Sequence, residues 1–349
     1  MVSQACRYPS AVIALSVLDE SPVPSGSTAP QALSDTVALA QATEALGYRR
    51  YWLTEHHNTE SLAGTAPEVL VAQVAAHTSS IRVGAGGILL PYYSSLKVAE
   101  VFRVLHTLHP GRIDLGVGRA DGADEEAAGA LRAGRSDTDA AGYSARITEL
   151  VDFLEGERIP GGAGVRAFPD GPGGPEVWIL GSSSDGATLA AELGLPFSFA
   201  HFVSPGFGAQ VMASYQRVFR PSAANAAPLA SVAVSVICAE TEDVAERLAL
   251  SQAIWRFHPE GAGRGPLPSV EAAEAAQLSD IERVLLNQQR NRSIVGTPGA
   301  VRSRLEEMAK ASRVSELVVR TVCHDPSARL RSYELLAREF DLGARSSPS

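Results

Sequence analysis

Directly after the run Arg50-Tyr51-Trp52-Leu53-Thr54 comes Glu55-His56-His57, a carboxylate beside two imidazoles. Residues of these types can ligate a metal, act as acid and base near neutral pH, or hydrogen-bond the loop around them. The residues by themselves leave all three open, and a buried, satisfied histidine pair is the commonest. A metal centre needs further His or Asp ligands converging from elsewhere. His201 is one candidate, but Gly118, Gly181 and Cys238 stand where other strands should end, so no metal is expected.

Three more groups invite a chemical reading. Val83-Gly84-Ala85-Gly86-Gly87-Ile88-Leu89-Leu90-Pro91 has strand character but carries three glycines. Glycine weakens a strand, so either tight packing or the close approach of a planar ligand must need the space. Pro110 to Arg119 ends in Gly116-Val117-Gly118-Arg119, which opens like a dinucleotide fingerprint; Gly122 then falls one place late, and the nicotinamide reading fails. Gly181-Ser182-Ser183-Ser184-Asp185 opens a helix. Such a turn offers free backbone N–H groups and hydroxyls to a phosphate, or simply caps the helix. With Arg119 at the end of the neighbouring strand, the two positions are expected to share a phosphate. Asp121, Asp124, Glu125 and Glu126 read as a solvated loop or first helical turn, without a role.

These groups need a frame that brings them together. Strand patterns at residues 11–18, 50–54, 81–89, 112–117, 177–180, 197–200, 232–238 and 316–321 alternate with helical patterns, the last of them at 327–340. Eight such units without a linker predict one (β/α)8 TIM barrel spanning residues 1–349, whose strand ends carry the chemistry at one rim. Surplus chain falls into insertions near 19–29, 161–175 and 259–289, of which 161–175 reads as a spacer, and the tail 343–349 is expected to be disordered.

Composition narrows the partners. The 349 residues carry 30 Lys and Arg against 39 Asp and Glu, a net charge of −9 that disfavours nucleic acid. No apolar stretch approaches the roughly 18 residues of a membrane span, and the first residues lack a secretory pattern. A cytoplasmic protein with no membrane partner is expected. Cys6, Cys238 and Cys323 have no short spacing and read as ordinary buried or half-buried thiols.

Taken jointly, Leu15-Ser16-Val17-Leu18-Asp19, Gly47-Tyr48, Tyr51 to His57, Gly84 to Pro91, Pro110 to Arg119 and Leu180 to Ser183 resemble the bacterial luciferase-like flavin monooxygenases, from about Leu15 to Phe340. The resemblance implies the same barrel, with the flavin ring across its rim. It implies that His56 is the active-site histidine assisting the flavin's reaction with oxygen, and that Glu55 holds the same strand end. It further implies that Gly86-Gly87 forms a non-prolyl cis peptide beneath the ring, that Arg119, Gly181, Ser182 and Ser183 hold the phosphate, and that Ser16 lies near the ring. Gly118 stands where luciferases proper have cysteine, which speaks against light emission and for the non-luminous branch, part of which tailors polyketide antibiotics in actinomycetes.

The resemblance thus implies a monooxygenase that takes reduced FMN from a separate reductase, uses O2 on a small organic substrate and forms a homodimer through its second and third helices. Two rivals share the scaffold: an F420-dependent oxidoreductase that transfers hydride, and a catalytically silent flavin-binding protein. Retention of Glu55-His56-His57 and of eight strands argues against the silent form, and a metal hydrolase is more distant still.

Overall fold

In a short apolar strand, neighbouring side chains point to opposite faces, and here both faces are buried. The computed structural model describes residues 13–119, 124–132, 140–156, 164–257 and 263–343. The tail beyond Gly343, Cys6, Asp121 and parts of two expected insertions lie outside them.

The first half of the chain runs β1 (Ala14–Asp19), α1 (Ala29–Ala45), β2 (Arg50–Leu53), α2 (Pro67–His77), β3 (Arg82–Leu89), α3 (Ser95–Leu108), β4 (Ile113–Gly118), α4 (Glu125–Arg132) and α5 (Ala140–Glu155). It continues with β5 (Glu176–Gly181), α6 (Ser184–Leu193), β6 (Phe197–Ala200), α7 (Gly208–Val218), β7 (Ala230–Cys238) and α8 (Glu242–Trp255). The last part holds α9 (Val270–Glu274), α10 (Asp280–Arg290), β8 (Ser293–Gly296), α11 (Pro298–Ser312), β9 (Glu316–Arg320) and α12 (Pro326–Glu339).

All strand pairings are parallel. Neighbours follow chain order from β1 to β7, and β9 closes the ring between β7 and β1. The expected eight-stranded barrel is present. An additional short strand, β8, pairs with Ser235–Cys238 of β7, just beyond the point where β9 leaves it. The stretch between α8 and β8 also forms two helices, and α10 starts on a capping box in which Ser279 and Glu282 satisfy each other's backbone N–H groups.

Two layers fill the barrel below its mouth. The lower is ionic: Arg50, fully buried, donates to Asp114 at 2.9 Å, Glu316 at 2.8 Å and Glu176 at 2.7 Å. Burial works against the Arg50 charge, but the three carboxylates more than offset it and raise its pKa. The upper layer is apolar: Trp52 and Trp178 meet edge to face with centroids 5.3 Å apart, packed with Leu18, Ala233 and Val318. The Arg50 guanidinium lies 4.8 Å from the Trp178 ring centroid and joins the layers. A larger apolar shell fills the space between barrel and helices.

Chain between the elements closes over the rim. Pro22 bridges to Leu62, and Pro24 to Leu267 from the stretch after α8. Leu62, Trp255, Leu267 and Val322 form a small core of their own there. In the stretch before β5, the Pro169 carbonyl accepts from Arg103 of α3 at 3.4 Å. Cys238 and Cys323 are buried free thiols, each pushed up to about 12 by burial.

Candidate active site

The C-terminal ends of the strands surround a cavity of about 940 Å³. A cavity of this size holds a drug-sized ligand with room to spare. Its floor rises from Leu18 of β1, Leu180 of β5 and the backbones of Gly86 and Gly87.

At the end of β2 the three residues Glu55, His56 and His57 have separate duties. Glu55 is buried, and its carboxylate accepts from the Leu89 N–H at 2.8 Å and the Tyr93 hydroxyl at 2.5 Å and pairs with His57 Nε2 at 2.8 Å. These bonds tie the end of β2 to the end of β3. Burial and the adjoining Glu55 carboxylate raise the Tyr93 phenol, which therefore stays a donor. His57 serves as a partner of Glu55. His56 is half-buried and lines the cavity; its N–H donates to the Gly64 carbonyl at 2.9 Å and its Nδ1 pairs with the Thr54 hydroxyl at 2.9 Å. Its Nε2 has no hydrogen-bond partner among the described residues. This is the ring nitrogen able to exchange a proton with something held in the cavity.

Next to it, Glu20 follows β1 and is paired with buried Arg320 at 2.5 Å. Burial works to raise the Glu20 carboxyl, but Arg320, with His56 and Arg256 nearby, more than offsets it and holds the group at about 2. An ionised Glu20 therefore faces the cavity at any ordinary pH.

The glycines of β3 are where packing decides. A Cβ on Gly86 would lie 2.8 Å from Leu18 Cδ1 and Trp52 Cβ, and one on Gly87 would lie 2.7 Å from the Gly116 carbonyl oxygen and Leu180 Cδ1. Tight barrel packing alone demands glycine at both positions. Both backbones also line the cavity, and the peptide between them is cis. Gly118 differs: a Cβ there would meet nothing within 4 Å, so its bare backbone leaves cavity space that a side chain would occupy.

Across the mouth, Arg119, Gly181, Ser182 and Ser183 line one rim. Ser183 is the N-cap of α6, yet its side chain makes no capping hydrogen bond. That hydroxyl and the first N–H groups of the helix stay available to an anion.

Ser16 is the exception among the residues expected at the site. Its hydroxyl donates to Glu316 at 2.6 Å, and it lies in the buried ionic layer, away from the cavity. The reason is the pleat: Ser16 and Leu18 share a face of β1, and it is Leu18, two residues nearer the rim, that reaches the floor.

A family model described as luciferase-like monooxygenase matches residues 13–315. The chain belongs to the luciferase-like monooxygenase family. This family member is 44% identical over 335 residues to the uncharacterised protein YwcH of Bacillus subtilis (strain 168), across 94% of this chain and 99% of that protein. Among solved structures it is similar to apo-MsnO8, with a TM-score of 0.86 and 38% identity over 97% of this chain and 99% of that one. The fold is also that of the oxygenating constituent of 3,6-diketocamphane monooxygenase from Pseudomonas putida in complex with FMN, and of an F420-dependent secondary alcohol dehydrogenase, at TM-scores of 0.69 and 0.67 and identities of 19% and 10%.

The luciferase-like site contains residues that sequence reasoning missed. Tyr93 stands behind Glu55, and Glu20 sits one residue past β1, where its place at a strand end was the available signal. Arg256, Arg264 and Arg292 line the cavity from the stretch after β7. No motif marks them, because they come from three separate segments that only the fold assembles.

Proposed function

We propose that this luciferase-like oxidoreductase is a two-component monooxygenase: it receives reduced FMN from a separate reductase and uses O2 to oxygenate an organic substrate, of polyketide type on the resemblance to the non-luminous branch. The observation that carries the reading is one cavity joining a glycine-backbone floor, able to lie against a flat ring, to a rim of Arg119, Ser182 and Ser183 suited to a phosphate. The open space over Gly118 and the uncommitted Ser183 hydroxyl fit such a ligand.

Bound reduced FMN supplies the electrons that activate dioxygen. The rest falls to the chain. Arg119 and the serines hold the phosphate, and through it the register of the ring. The backbones of Gly86 and Gly87, with Leu18 and Leu180, support the ring and keep water from below it. His56, steered by Thr54, presents Nε2 to hold or give a proton at the reacting face, while Glu55 positions the strand end that carries it. Electrons come from outside, because the glycines of β4 make no nicotinamide site.

The rim is tested by equilibrium binding of reduced FMN and reduced riboflavin. Arg119→Gln should weaken FMN by about tenfold or more and leave riboflavin almost unchanged, as expected for one lost charge-assisted phosphate contact. Equal loss for both ligands would remove the phosphate reading. A homodimer belongs to the same proposal: Val69 on α2 and Val104 and Leu108 on α3 are 62%, 45% and 65% exposed.

A further inference from the structure

Glu20 is a buried carboxylate that the flavin chemistry does not use. It follows β1 and lines the cavity, and its Oε2 accepts from the Arg320 guanidinium at 2.5 Å. The other oxygen is open. Oε1 has no hydrogen-bond partner among the described residues, and it is not sealed from solvent as an orphaned buried atom would be. Leaving an acceptor unpaired in so buried a place is costly, and a ligand that donates to it recovers the loss.

The carboxylate is held fast. Arg320, itself buried, also donates to the Ser235 hydroxyl at 3.4 Å, and its guanidinium lies 5.3 Å from the Phe202 ring centroid. Ser235 in turn meets Gln252 Nε2 at 3.1 Å and the Ser293 hydroxyl at 3.0 Å, which joins β9, β7, α8 and β8 behind the pair. An acceptor fixed in this way has little ordering left to do when a ligand arrives. Its proton state is fixed as well. Burial works to raise the Glu20 carboxyl, but Arg320 more than offsets it, so Oε1 accepts hydrogen bonds and neither donates nor takes a proton.

The surroundings say what kind of donor fits. Arg320 balances the charge of Glu20, so Oε1 calls for a hydrogen more than for a cation. Leu18 stands two residues back along β1, and Phe202 packs with the same apolar cluster while lying against the guanidinium. On the adjoining strand the Thr54 N–H donates to the Asp19 carbonyl at 3.0 Å, which brings the end of β2, and with it His56, alongside Glu20. Both residues open on one cavity.

We infer that Glu20 is a substrate-binding residue, its Oε1 accepting from the hydroxyl of a neutral alcohol or phenol whose apolar frame lies against Leu18 and Phe202. This rests on the reading above in one respect: the flavin takes the Gly86-Gly87 floor and the Arg119 rim and leaves the Glu20 side to the substrate. The hydroxyl then anchors the substrate beside His56, and the carbon atoms next to it are those presented to the reacting face. Compounds of the same shape without a hydroxyl leave the acceptor unpaired and are turned away.

Equilibrium dialysis of the full chain tests this with β-naphthol, its methyl ether and β-naphthylmethylamine, an ammonium at neutral pH. Naphthol should bind about tenfold or more tighter than the ether, as expected for one hydrogen bond to a charged acceptor. The ammonium should bind no tighter than naphthol. Glu20→Gln puts a neutral acceptor in the same place and should shrink the preference for naphthol over ether to about threefold, since hydrogen bonds to charged groups are roughly twice as strong. Glu20→Leu combined with Arg320→Met removes both charges together and should abolish the preference. Equal affinity for naphthol and ether, an ammonium bound tighter than naphthol, no measurable naphthol binding, or a full preference surviving in the Glu20 variants would overturn the inference. The first three outcomes need only the unsubstituted protein, so they decide even where a variant fails to fold. Reduced FMN is titrated in parallel without oxygen. Normal FMN binding with naphthol and ether equal removes this inference and leaves the FMN reading; a naphthol preference without FMN binding supports the hydroxyl subsite and removes the FMN reading.

Discussion

At the scale of single residues, the site separates a group that acts from groups that hold it. Glu55 is buried and already engaged by Leu89, Tyr93 and His57, which makes it a positioning group. His56 is the reverse case, with one ring nitrogen tied to Thr54 and the other facing the cavity. His56→Ala should therefore leave reduced FMN bound but release oxygen as hydrogen peroxide in place of oxygenated product, read as peroxide formed per oxygen consumed. Unchanged coupling in that variant would take the proton role away from His56. The Glu55-His56-His57 run was legible in the sequence because it sits directly after a strand, but the division of labour was not. It depends on Tyr93, 38 residues away along the chain and adjacent only after β2 and β3 pair.

Among the elements, β3 and β4 show how one residue type serves two ends. Gly87 is glycine because the β4 backbone and Leu180 occupy the place of a side chain, and a carbonyl oxygen at 2.7 Å cannot step aside as a flexible side chain would. Gly118 is glycine with nothing near it. Gly87→Ala should lose about 1–3 kcal/mol of stability in denaturant unfolding, while Gly118→Ala should cost almost nothing in stability and Gly118→Phe should weaken flavin binding. A stable Gly87→Ala variant, or a Gly118→Phe variant that binds flavin normally, would show these roles to be misassigned. The glycines were visible in the sequence as an anomaly, yet only the packing around each tells them apart. The same holds for Ser16 and Leu18, which share a strand face but not a layer. The eight barrel strands were readable from their alternation with helices, while β8 is an additional strand for which that eight-unit rhythm has no place.

For the whole molecule, the barrel stacks an ionic layer, a tryptophan layer and the cavity in order toward the rim, so the site rests on a floor that cannot shift without breaking buried ion pairs. Removing one partner of such a pair costs about 3–5 kcal/mol, because it leaves a buried charge uncompensated. No helix among the described residues is long and apolar enough to cross a membrane. The exposed apolar residues of α2 and α3 belong to this scale as well. Sedimentation should give twice the mass of the chain, and Leu108→Glu should give a single chain; a monomer in the unsubstituted protein would end the homodimer reading. Overall architecture was legible because period and order alone imply a parallel barrel, whereas the arginines of the cavity were not, since nothing in the spacing of Arg256, Arg264 and Arg292 announces that they line one cavity. The central claim, that this site works on oxygen with reduced FMN, meets its most direct test in anaerobic titration with reduced FMN and with reduced F420 followed by admission of air. Tight binding of reduced FMN, with reoxidation slower than that of free FMN, is the predicted result; tight binding of F420 without any effect on FMN would contradict it and make the chain a hydride-transfer enzyme.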